Sequence, residues 1–155
     1  MRRTSELVIP GVRSEAFGER DNGKTFILHE MDAYRGQDWA LRAILALAAS
    51  GVQMPQNVME GGWAGLAAFG VTALLGAPYP ALKPLLDEML AQAKYQHKPN
   101  APLQAIEPGV NCVVEEIKTF MLIQRALFTL HTGFSMAGDT SISATSPGQP
   151  VNEKP

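Results

Sequence analysis

Cysteine occurs once in the 155 residues, as Cys112. That excludes an intramolecular disulfide and any zinc site built on a cysteine cluster. Charge is sparse too: Asp, Glu, Lys and Arg make up 18% of the chain, below the usual quarter, and the net charge is −2. No stretch is basic enough to follow a phosphate backbone. The one basic pair, Arg2–Arg3, reads as a solvated terminus, so no nucleic-acid partner is expected. Histidine is limited to His29, His97 and His131. None has a carboxylate or second histidine at ligand spacing, so no metal is expected. Gly61-Gly-Trp-Ala-Gly65 lacks both the Lys-Ser/Thr of a phosphate loop and the dinucleotide glycine spacing. No serine stands in a triad-like context. Met1 to Glu6 is polar and Pro10–Gly11 follows soon after, which does not make a signal peptide. The expectation is a cytosolic, non-enzymatic chain without a cofactor.

What is present is hydrophobic bulk, 46% of the chain, enough for one domain with a sizeable core. Gly61 to Leu82 carries no charge and is dense in Gly and Ala, with Trp63, Leu66, Phe69, Val71, Leu74 and Leu75 between them. Gly76, Pro78 and Pro80 end its helical part, so Trp63 to Leu75 rises only about 20 Å at 1.5 Å per residue. A hydrocarbon core is about 30 Å thick, so no membrane span is expected. A helix apolar all round and too short to span belongs in a protein interior. The predicted fold is therefore mainly α, about four helices packed around this central apolar helix, with a small N-terminal β-ribbon.

In chain order, Glu6 to Pro10 reads as an edge strand. Asn22–Gly23, between Val12–Glu19 and Thr25–Glu30, is a hairpin signal because both residues accept the positive φ of a primed turn. Asp32 is placed to cap a helix reaching Ser50, with Ala40, Leu41, Ile44, Leu45 and Ala48 as its buried stripe and Gly51 as its C′ residue. Pro80 opens the next helix, whose stripe of Leu82, Leu85, Leu86, Met89, Leu90 and Ala93 leaves Lys83, Asp87 and Glu88 in water. Tyr95 to Gly109 reads as a polar connector in which Leu103–Ile106 adds a short strand to the ribbon. The last helix is expected from about Val110 to Thr132, closed by Gly133, with Val113, Ile117, Phe120, Met121, Gln124, Leu127, Phe128 and His131 inward. Residues 1–134 then form the domain. Residues 135–155 have too little apolar content to offset the entropy of ordering and are expected to be disordered.

Among residues with reactive groups, His131 lies on an apolar helix face and reads as a hydrogen-bonded core residue rather than a ligand or catalyst. Glu115 and Glu116 are adjacent, about 100° apart on a helix, and read as a solvated helix start rather than a carboxylate pair. Cys112, beside Val113, reads as a small buried hydrophobe. No catalytic, metal or cofactor residue is assigned, and no partner-binding residue.

Seven stretches, in order, resemble the tail assembly chaperones of long-tailed bacteriophages. They are Arg20-Asp-Asn-Gly-Lys24 with Phe26, Glu30-Met31, Trp39-Ala-Leu-Arg-Ala43, Gly65-Leu-Ala-Ala68, Leu85-Leu-Asp-Glu-Met89, Glu115-Glu-Ile-Lys-Thr119 and Leu130-His-Thr-Gly-Phe134. The similarity runs from Phe17 to Phe134 and rests on order and spacing. It implies a protein made in the host cytoplasm and absent from the finished virion. Such a protein binds the helical tape measure protein and helps recruit tail tube subunits around it; self-association is compatible with this role. A frameshifted longer form is known for many such phages. A groove between helices suits that client, with Met54, Met59, Met89 and Met121 as adaptable surface, although Met89 and Met121 stand on stripes expected to fill the core. The competing expectation is a small structural head–tail or tail component of the virion.

Overall fold

Thr25-Phe-Ile-Leu-His29 alternates strictly: Phe26 and Leu28 are buried while Thr25, Ile27 and His29 are half-buried on the opposite face. This is a central strand, β2, and both of its edges need hydrogen-bonding partners. The computed structural model describes residues 1–10, 20–51, 53 and 74–139, with only the backbone for 133–139. In it β1 (Thr4–Val8) pairs antiparallel with one edge of β2, and β3 (Ala93–Gln96) with the other. The two-residue β4 (Gln104–Ala105) pairs in turn with β3, closing a four-stranded antiparallel sheet in the order β1-β2-β3-β4.

Three helices accompany the sheet among the described residues: α1 (Ala33–Ala49), α2 (Tyr79–Leu90) and α3 (Ile117–Asp139). Asp32 caps α1 by accepting from the Arg35 N–H at 2.9 Å. Gly51 follows its end at φ 84°, the left-handed conformation that glycine adopts without strain. In α2 Pro80 falls in the first turn, where a missing amide costs least, whereas Pro84 lies inside the helix. Trp39 of α1 is fully buried and donates from Nε1 to the Leu85 carbonyl of α2 at 2.9 Å. Phe26, Leu28, Trp39, Ile44, Leu47, Leu85, Met89, Ile123 and Leu127 share one core between the sheet and the helices.

The expected fold class needs correction. The chain is not four helices around a central helix; an antiparallel sheet supplies one wall of its core. Ala93 continues the apolar spacing of α2, but residues 93–96 leave the helix and pair with the edge of β2 that β1 does not cover. Tyr95 then packs on Phe26, its cross-strand partner, with ring centroids 5.6 Å apart. Most of the proposed central helix lies outside the described residues, though Leu74 near its end is fully buried. Residues 12–19, Met54, Met59 and residues 140–155 also lie outside them.

The turn before β2 differs from the expected primed hairpin. Gly23 takes φ 75° but Asn22 does not take a positive φ. Gly23 donates to the Ile9 carbonyl while Ile9 donates to the Lys24 carbonyl, both at 3.0 Å. Two residues thus oppose one, the pattern of a glycine bulge. The last helix begins at Ile117, not Val110, and passes through Gly133 to Asp139, beyond the expected end at Thr132. An interior glycine costs a helix about 1 kcal/mol relative to alanine and does not by itself end it.

Candidate functional site

The start of α3 is fixed from a distance. Asp21, fully buried in the turn before β2, accepts from the Glu115 N–H at 3.1 Å and the Glu116 N–H at 2.9 Å. Both residues immediately precede α3, so these bonds fix the segment that leads into the helix. Lys24 Nζ donates to Asp21 at 2.7 Å, to the Val113 carbonyl at 2.7 Å and to Glu115 at 3.2 Å. Burial works to raise the pKa of Asp21. The hydrogen bonds from Lys24 and the two amides outweigh it, so the carboxyl titrates below its ordinary range. Arg20-Asp-Asn-Gly-Lys24 and Glu115-Glu-Ile-Lys-Thr119, remote in sequence, therefore meet in one polar knot. Glu116, expected in solvent, is buried beside this knot, with Lys118 Nζ 3.3 Å from its carboxylate.

Farther along α3, His131 provides a second pin. Its Nε2 accepts from the Met31 N–H at 2.9 Å, and its Nδ1 donates to the Leu127 carbonyl at 2.7 Å. Burial depresses its pKa, so the ring is neutral and both nitrogens are engaged. This histidine joins α3 to the segment between β2 and α1. Cys112 is half-buried against the core. Among the described residues no group of three or more His, Cys, Asp or Glu side chains is placed to hold a metal. None of their helices is long and apolar enough to cross a membrane.

Between the two pins, α3 overhangs the edge strand and leaves an open groove of about 560 Å³. Arg3, Ser5 and Leu7 line one side, and Leu122, Arg125, Ala126, Thr129 and Leu130 the other. The strand residues are alternate ones, so they share the sheet's core face. On the helix, Leu122, Ala126 and Leu130 form a row at spacing four. Ile117, Met121, Arg125 and Thr129 form the neighbouring row toward solvent. Ile117 is 83% exposed and Met121 64%.

These exposures overturn the inward placement of Ile117 and Met121. Met89, by contrast, is fully buried and fills the core as expected. On α1, Leu41, Leu45 and Ala48, expected in the buried stripe, are exposed instead, Leu41 by 45% and Leu45 by 60%. The apolar arc at helical spacing is wider than the face each helix buries. Nothing in the sequence marks Leu7 and Ser5 as neighbours of Ala126, because only the docking of α3 against β1 brings them together. In comparisons with known proteins, the chain matches no family model, no curated protein and no solved structure.

Proposed function

We propose that this chain is a tail assembly chaperone of a long-tailed bacteriophage. It holds the helical tape measure protein soluble in the host cytoplasm and favours assembly of tail tube subunits around it, without catalysis and without remaining in the virion. The resemblance over Phe17 to Phe134 supports this reading. The observation that carries the binding role is the open apolar groove along α3, continued by exposed Ile117 and Met121. Grooves of a few hundred cubic ångströms with an apolar floor accept the apolar stripe of an amphipathic helix. An exposed methionine adapts to a client that presents many similar segments.

The test is co-expression with the long helical tail protein of the same phage, followed by pull-down. The client should be soluble and retained by the wild type, and lost by Met121→Lys combined with Ala126→Glu. Ala126 is half-buried and Met121 exposed, so the double variant is expected to stay folded. Circular dichroism checks that expectation. A client equally soluble with and without the chain would sink the proposal. Finding the chain in purified particles would favour the structural-component reading instead.

A further inference from the structure

We infer that the groove between β1 and α3 selects an amphipathic helix whose apolar stripe is flanked by carboxylates. This deepens the chaperone reading and rests on it for the source of the helix. The groove's shape comes from side chains. Leu122 to Leu130 spans about 12 Å of helix, with the small residue Ala126 between these leucines and the small residue Ser5 between Arg3 and Leu7 on the strand side. That relief accepts a large apolar knob over Ala126 and lets the ridge of an incoming helix seat beside the Leu122–Ala126–Leu130 row.

An added strand would instead pair with the outer edge of β1, beside the groove rather than in it. Arg3, Ser5, Leu7 and Ile9 turn their backbone groups toward β2, as the bonds of Arg3 with Glu30 and Ile9 with Lys24 show. The outward backbone groups belong to Thr4, Glu6 and Val8, whose side chains lie on the opposite face of the sheet from the groove.

The charge of the lining sets the flanks. Arg125 lines the groove from the helix side and Arg3 from the strand side, and none of the described lining residues is a carboxylate. Glu30, whose carboxylate accepts from the Arg3 amide at 3.0 Å, lines a separate recess with Met31 and Asp32. Arg125 is exposed on the solvent-side row, placed to meet the flank of a bound helix rather than its apolar stripe. The chain as a whole carries a net charge of −2, so its long-range field disfavours an acidic ligand. A preference for one must therefore come from the groove.

Two labelled peptides of roughly 18 residues, long enough for measurable helicity, test this. Both carry the same Leu/Ala stripe; one is flanked by Glu and the other by Lys. Fluorescence anisotropy with the full chain should show the Glu peptide binding about tenfold or more tightly, with the gap narrowing as salt rises. Arg125→Glu should remove or invert the preference, while Arg125→Lys keeps it. Equal affinities, no binding by either peptide, or a preference untouched by Arg125→Glu would overturn the inference. A soluble tape measure protein alongside an absent peptide preference would refute the charge assignment and leave the chaperone reading standing. A clear peptide preference with an insoluble tape measure protein would do the reverse.

Discussion

Replacing Asp21 with asparagine should destabilise the fold far more than its position in a turn suggests. The carboxylate is fully buried and takes hydrogen bonds from the amides of Glu115 and Glu116 and from Lys24. Asparagine keeps one acceptor oxygen and turns an NH2 group toward donors. Lys24 still has the Val113 carbonyl and Glu115, so it is not stranded. The loss is then the charge assistance of two or three bonds, each worth about 1.5–3 kcal/mol when an ion takes part, offset by the oxygen that remains. The expected cost is about 3 kcal/mol. That is a large share of a stability of roughly 5–15 kcal/mol, and in a chain of this size it lowers the melting midpoint by roughly 10 °C.

The assay is thermal unfolding followed by helix ellipticity, at neutral pH and again in acid. Because the folded pKa of Asp21 lies below its unfolded value of about 3.8, its contribution is fully present above that value. It is lost as pH falls through the folded pKa. The gap between wild type and Asp21→Asn should therefore be widest near neutrality and close below about pH 4. A gap under about 1 kcal/mol at pH 7, or one that does not shrink in acid, would refute the anchoring argument.

Two further perturbations address the rest of the frame. His131 is neutral in the fold with a depressed pKa, so stability should fall as pH drops below its unfolded value of 6.5. His131→Leu should flatten that slope in urea titrations while costing about 1–3 kcal/mol for the unpaired Met31 amide. Trp39→Phe removes the donor to the Leu85 carbonyl between α1 and α2 and should cost about 1–3 kcal/mol in the same titrations. A neutral Trp39→Phe would mean that this bond adds little to the docking of the two helices.

Local signals made parts of the fold legible. The Asp32 cap, the left-handed Gly51 and the prolines opening α2 each act within a few residues, and both helices lie close to where those signals put them. The departures arise where a distant partner decides. Ala93 satisfies a helical stripe and a strand equally well, and only the open edge of β2 draws it into the sheet. Val110 to Glu116 contains no local cap that would start a helix at Val110. The segment leading into α3 is held by Asp21, 95 residues before Glu116. Spacing alone also overstates burial: Leu41, Leu45, Ile117 and Met121 fit apolar arcs that extend past the buried faces of their helices. On α3 that surplus adjoins the groove, so the misplaced residues became the ones with a functional reading.

The two pins on α3 bear on how that groove can be studied. Asp21 holds Glu115 and Glu116 at the start of the helix, and His131 holds Met31 farther along. Both anchors sit in segments adjoining β2, and β2 is hydrogen-bonded along its length to β1. The strand wall and the helix wall of the groove are thus referenced to one central strand, while Arg125 and Thr129 between the pins face solvent and take no part in that fixing. Framing and recognition are carried by different side chains. Substituting a framing residue should change stability first and binding only through it. Substituting Arg125 or Met121 should change binding at unchanged stability. The separation follows from burial: the pins are enclosed, and the recognition row faces solvent with room for a partner.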